Sequence, residues 1–170
     1  AEYLKKHKIV AIAGIDTRQL TRHIRKNGAM KGYIIVGSDI KIENAINKAK
    51  SFGGLVGMDL AKEVTTQTSY IWSQGVWHLK RKSTTKNKNK HRIVAYDYGI
   101  KRNILKILVD LGCEVTVVPA KYTAEEVLKE KPDGIFLSNG PGDPDACDYA
   151  ISAIKKIITT GIPVFGICLG

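Results

Sequence analysis

Residues 134–170 read GIFLSNGPGDPDACDYAISAIKKIITTGIPVFGICLG. Residues 134–137 are a short apolar run bounded by turn formers, the pattern of a buried strand. Ala146, Tyr149, Ala150, Ala153, Ile154, Ile157 and Ile158 then recur at helical spacing along one face, and Gly161 stops them. Residues 163–167 (PVFGI) are a second apolar run of strand length. Strand, helix and strand in succession predict parallel pairing through a crossover helix.

The same rhythm extends upstream. Residues 93–96 (IVAY) read as a strand. Ile100, Ile104, Ile107, Leu108 and Leu111 form a helical stripe closed by Gly112. Residues 115–118 (VTVV) are a β-branched strand ended by Pro119, and Thr123 with Glu126 is a capping box opening a short helix that Pro132 terminates. The expected class is therefore α/β, with a parallel sheet covered on both faces. Ligands of such sheets bind at the carboxyl ends of the strands. That edge holds residues 97–103, residues 138–143 and Cys168.

Residues 1–79 are less regular. Runs 9–13 and 33–36 read as strands. Asp16 with Gln19 reads as a helix start, the helix running through Ile24 and stopping at Asn27-Gly28. Residues 42–49 predict a second helix, and 69–79 further strands. A separate amino-terminal α/β module is expected. A polar run, KRKSTTKNKNK at 80–90, has the composition of a solvated linker. The expected organisation is one domain at 1–79, a basic linker at 80–91 and a second domain at 92–170.

The formal net charge is +11. Residues 1–91 carry 18 Lys+Arg against 6 Asp+Glu, while 92–170 carry 9 against 10. The excess is thus concentrated upstream, and its densest run lacks aromatic side chains for base stacking, so no nucleic-acid partner is expected. No apolar run approaches the length of about 20 residues that spans a bilayer, and no signal-peptide pattern opens the chain; no membrane association is expected. Three cysteines, Cys113, Cys147 and Cys168, make neither a disulfide framework nor a metal-type CxxC pair, which fits a reducing, cytoplasmic compartment and no metal. The chain begins without Met and ends inside a turn, and is expected to be a piece of something longer.

Chemistry concentrates at two places. Gly166-Ile-Cys168-Leu-Gly170 puts a cysteine directly after a strand between two glycines, the nucleophile-elbow pattern with sulfur for oxygen. The corner residue is forced into a strained backbone, flanking side chains would collide, and the sulfur is exposed where a following helix would favour a thiolate. Ser138-Asn-Gly140-Pro-Gly142-Asp143-Pro144 follows the preceding strand at the same edge. Its glycines let backbone N–H groups approach a substrate. Asp143 and Pro144 read as the N-cap and first position of the next helix. Beside an elbow cysteine this loop reads as an oxyanion hole, with Gly140 N–H and Leu169 N–H aimed at a developing negative oxygen.

Residues 137–145 (LSNGPGDPD) and 163–170 (PVFGICLG) resemble the two signatures of class I glutamine amidotransferases, and the resemblance extends through 95–104 (AYDYGIKRNI). Upstream, 10–22 (VAIAGIDTRQLTR) and 28–32 (GAMKG) resemble the amino-terminal domain of carbamoyl-phosphate synthetase small subunits, a part that other class I amidotransferases lack. Apart from the linker, nearly the whole chain is covered. The resemblance implies the first half of a flavodoxin-like amidotransferase domain. It implies Cys168 as the nucleophile on the side-chain amide of L-glutamine, Gly140 and Leu169 as oxyanion-hole and glutamine contacts, and Gly142 as a further glutamine contact. Asp97, Lys101 and Asn103 read as scaffold around the site.

No cofactor is implied for this chain. The family's large subunit is the implied partner, using ATP, bicarbonate and Mg to make carbamoyl phosphate for arginine and pyrimidine synthesis. The family's histidine base and its carboxylate lie downstream of the cysteine, and a glutamine-contacting serine lies upstream of Ala1. His7, His23, His78 and His91 are poor substitutes for that base, so these 170 residues alone are expected to have negligible glutaminase activity. The alternatives are another class I amidotransferase, for anthranilate or guanylate synthesis, and a non-catalytic interaction module. The upstream segment opposes the first and the cysteine at the elbow opposes the second.

Overall fold

The structure, a computed structural model, describes residues 1–77 and 91–170. The basic run at 80–90 and His78 lie outside the described residues. The chain divides into two compact units, Ala1–Gly54 and Leu55–Gly170.

The first unit contains three helices: α1 (Glu2–Lys6), α2 (Thr17–Asn27) and α3 (Ile42–Ser51). Asp16 Oδ1 accepts the Gln19 N–H at 2.8 Å and caps α2, which ends at Gly28 with φ +82°. The start and stop of α2 were legible, whereas α1 was not expected and α3 runs two residues beyond the expected 42–49. The strands expected at 9–13 and 33–36 are absent, so this unit as described is helical with irregular connections and not α/β. A β-strand exists only where a neighbouring strand accepts its backbone hydrogen bonds. Neither apolar run has such a neighbour among the described residues, and Ile9, Val10, Ile12, Tyr33, Ile34 and Val36 are all exposed.

The second unit is built on a five-stranded sheet. Its elements are α4 (Ala61–Val64), β1 (Tyr70–Trp72), β2 (His91–Asp97), α5 (Arg102–Asp110), β3 (Cys113–Pro119), α6 (Ala124–Lys129), β4 (Gly134–Leu137), α7 (Asp148–Ile157) and β5 (Val164–Gly166). The sheet order is β1-β3-β2-β4-β5. The four strands β2 to β5 pair in parallel, as the sequence predicts. β1 adds an antiparallel edge against β3, with Ile71 opposite Thr116. His91, expected as the last linker residue, is the first residue of β2 and pairs with Cys113. Residues 55–77, expected to belong with the chain's beginning, group with the sheet because they bond to its loops and add its edge strand.

Alternation along the strands separates two cores. On one face Val94, Tyr96, Val118, Ile135 and Leu137 pack with Ala124 and Val127 of α6 and with Ala150 and Ile157 of α7. On the other, Ala95, Val115, Val117 and Phe136 pack with Leu105 and Val109 of α5. Helices cover both faces of the inner strands, so β4 reads as a continuous apolar run, whereas Ile71 of β1 and Phe165 of β5 are exposed at the sheet edges. Burying a side chain such as Leu105 or Ile157 fully contributes about 1.5–3 kcal/mol.

The capping box at Thr123 and Glu126 forms both of its hydrogen bonds. α7 starts later than the apolar periodicity suggested. Asp143 instead caps a 3-10 turn, Pro144–Ala146, and Cys147 interrupts it with φ −95° and ψ 54° before the helix begins.

β3, β2, β4 and β5 follow the flavodoxin-like order. The chain moves outward from β2 to β3, then crosses back to place β4 on the other side of β2. That reversal brings residues 97–101 and 138–143 together at the carboxyl ends of β2 and β4, the edge where ligands of such sheets bind.

Candidate functional site

β5 ends at Gly166, and two residues later Cys168 stands at φ +58°, a left-handed backbone that L side chains rarely adopt. The turn is locked on both sides. Ile167 N–H donates to Leu137 O and Gly170 N–H donates to Ser138 O, each at 3.1 Å. A Cβ on Gly166 would overlap the backbone of Gly170, and one on Gly170 would overlap the backbone of Leu137. Both elbow positions are therefore glycine for steric reasons. The Leu169 side chain is partly buried against the core, while the Cys168 thiol is free and exposed.

The loop after β4 is stitched to the loop after β2. Ser138 is fully buried, and its hydroxyl accepts the Tyr98 N–H at 2.9 Å and donates to Asn139 O at 2.8 Å. Asn139 Oδ1 accepts from Lys101 N at 3.1 Å, and its Nδ2 donates to Gly99 O at 2.9 Å. Gly140 lies so close to the neighbouring chain that a Cβ there would overlap Tyr98 O and stand 2.8 Å from Leu169 Cδ2. Gly140 and Leu169, proposed from the sequence to face one oxygen, are thus adjacent. Gly142 (φ +96°) continues the loop, and Asp143 closes it.

Of the three residues read as scaffold, Asp97 is bonded into the neighbouring loops. Asp97 is buried. Its Oδ1 accepts from Gly99 N and Ile100 N at 2.9 and 2.8 Å, and its Oδ2 accepts from Thr66 N at 2.9 Å. Lys101 is the N-cap residue of α5, without a side-chain cap bond, and Asn103 is exposed in its first turn.

Burial governs two of the cysteines. Burial raises the thiol pKa of Cys113, at the start of β3, and of Cys147, which is 4% exposed. Both keep their protons and serve packing. Asp143 is the opposite case: N–H groups of Gly57 and Asp145 hold its carboxyl below the usual aspartate value. Burial raises the Tyr149 hydroxyl far above its ordinary range, so it stays a donor, at 3.1 Å to Asp59 Oδ1. Of the histidines, His91 opens β2 at the amino edge of the sheet, opposite the edge of Cys168. His7 and His23 are exposed residues of the first unit. Among the described residues no group of His, Cys, Asp and Glu could hold a metal ion, and no helix is long and apolar enough to cross a membrane.

Sequence reasoning missed residues 57–66. This segment reaches the site loops from upstream, through Gly57 and Met58 to Asp143 and through Thr66 to Asp97. Its one readable signal was Asp59 three positions before Lys62, whose N–H it accepts at the start of the four-residue α4.

Comparison with known proteins agrees with this arrangement. Residues 94–170 match the family model described as glutamine amidotransferase class-I, and residues 1–34 match the carbamoyl-phosphate synthase small chain, CPSase domain. Over the whole chain, the sequence is 62% identical to the carbamoyl phosphate synthase small chain of Pectobacterium atrosepticum, 60% to that of Salmonella typhimurium and 58% to that of Escherichia coli K12. The match covers 45% of each relative, so the chain spans less than half the length of the curated relatives it matches.

Proposed function

The chain belongs to the carbamoyl phosphate synthase small-chain family, and from that membership we propose that it is the nucleophile-bearing part of a glutamine-hydrolysing subunit. Cys168 Sγ attacks the side-chain carbonyl carbon of L-glutamine, forming a carbon–sulfur bond. The negative oxygen so created is held by the N–H groups of Gly140 and Leu169. Collapse breaks the carbon–nitrogen bond, a proton passes to the leaving nitrogen, and ammonia departs from a thioester. Water then adds to the thioester, the carbon–sulfur bond breaks, and glutamate leaves. Gly142 lines the glutamine.

The observation that supports this reading best is the pairing of an exposed thiol in a strained left-handed corner with Leu169 seated directly on Gly140. The base is proposed to be the family's downstream histidine. His91 stands at the wrong edge of the sheet to serve. The ammonia passes to a large subunit that uses ATP, bicarbonate and Mg to make carbamoyl phosphate for arginine and pyrimidine synthesis, in the cytoplasm.

The test uses a full-length small chain carrying this segment, paired with a large subunit. Cys168→Ser is expected to abolish carbamoyl phosphate formation from glutamine while leaving formation from added ammonia intact. Glutamine-dependent synthesis by the serine variant at the wild-type rate would refute the proposal.

A further inference from the structure

One segment, residues 57–66, crosses the carboxyl ends of three strands. At its start Gly57 N–H donates to Asp143 Oδ2 at 2.8 Å, and Met58 O accepts from Asp143 N at 2.9 Å. Met58 and Leu60 lie so close to Gly142 that a Cβ there would stand 2.5 Å from Met58 O and 2.9 Å from Leu60 N. At its far end Thr65 Oγ1 accepts from Ala120 N at 2.8 Å and Thr66 N–H donates to Asp97 Oδ2. The far end is secured by Ala61, fully buried, and by the edge strand that follows. The near end has little apolar anchorage, since Leu55, Val56 and Met58 are exposed. What holds it in the middle is Asp59. Its Oδ1 accepts from Lys62 N and from the Tyr149 hydroxyl, both at 3.1 Å, with Cys147 Sγ at 3.6 Å.

The geometry points to Asp59 as a positioning residue for glutamine hydrolysis: it pins the 57–66 strap to the start of α7, and the strap fixes the glycine loop whose Gly140 N–H faces the reacting oxygen. The inference rests on the functional reading above. Gly142 lies flush on Met58 and Asp143 is bonded to both Gly57 and Met58, so a strap that shifts takes the loop with it. A displacement of about 1 Å at an oxyanion donor is enough to lower a rate up to about 100-fold. The carboxylate acts here as an acceptor. Its Oδ1 receives the bonds to α4 and α7, so an asparagine amide oxygen can replace it.

The experiment again uses a full-length small chain carrying this segment, complexed with a large subunit. Asp59→Leu is expected to lower kcat for glutamine about tenfold or more, with KM changed about threefold at most. Ammonia-dependent synthesis should be unchanged, and all of Cys168 should still react with a glutamine-like alkylating agent. Asp59→Asn is expected to stay within about twofold of wild type, because the acceptor is kept. If the leucine variant does not fold, Tyr149→Phe removes the hydroxyl that ties Asp59 to α7, and the same loss at full labelling is expected.

A leucine variant as fast as wild type overturns the inference, as does a labelled fraction falling in step with kcat, which would mean unfolding. For the phenylalanine variant, wild-type kcat overturns it. A wild-type complex that uses ammonia but never glutamine would instead remove the functional reading itself, and this inference with it.

Discussion

Asp143 accepts a 2.8 Å hydrogen bond from the backbone N–H of Gly57, a residue 86 positions earlier in the chain. The same carboxylate caps the turn after the glycine loop through Asp145 N at 3.1 Å. One side chain therefore ends the loop that lies beside the Cys168 turn and fastens it to a segment from before the basic run.

Both bonds favour the ionised form, and Gly57 contributes most to holding the Asp143 carboxyl below its ordinary value of 3.8. A depressed folded-state pKa contributes stability that is present above the unfolded value and lost as pH falls through the folded value. The tie should therefore survive weak acid and fail only below the usual aspartate range. Followed by NMR, the Gly57 amide proton should titrate with a midpoint below 3.8. A midpoint at or above that value would show that the bond does not favour the carboxylate.

Gly140→Ala puts a methyl group into Tyr98 O and against Leu169 Cδ2. The loop has to move, because the opposing Tyr98 atom is backbone. Overpacking of this kind costs about 1–3 kcal/mol. The variant should melt earlier than wild type and lose most glutamine-dependent activity. Wild-type values of both in a thermal melt and a glutaminase assay would mean that the loop is looser than described.

Ser138→Ala removes the hydroxyl that accepts the buried Tyr98 N–H. Leaving that donor unsatisfied costs about 1–3 kcal/mol. A drop of that size in denaturant unfolding is expected, and no drop would contradict it.

Tyr98→Phe should behave differently. Among the described residues the buried Tyr98 hydroxyl has no hydrogen-bond partner, so it contributes desolvation and nothing in return. Removing it should leave stability unchanged or raise it in the same unfolding measurement. A clear loss of stability would reveal a partner for that oxygen.

The parallel sheet was legible because its signals are local and redundant: apolar runs of strand length, helical stripes between them, and a capping box at Thr123 that forms as read. The elbow was legible because steric demand writes itself directly into sequence, as glycine on both sides of Cys168. What stayed hidden depends on partners distant in the chain. β1 exists because β3 offers an open edge, and the runs at 9–13 and 33–36 stay irregular because no strand stands beside them among the described residues. The 57–66 strap carries no periodicity, and its role is visible only once Asp143, Tyr149 and Asp97 have been brought to it. The boundary proposed from composition at 80–91 and the compact-unit boundary at Gly54 describe different things. Composition reports solvation, whereas packing reports which residues share a core.

The central claim is that Cys168, and neither of the other cysteines, reacts with glutamine. Mass spectrometry of a full-length small chain carrying this segment, after treatment with a glutamine-like alkylating agent, tests it most directly. The expected result is one adduct on Cys168, suppressed by glutamine. An adduct on Cys113 or Cys147, or labelling of Cys168 that glutamine does not suppress, would contradict it.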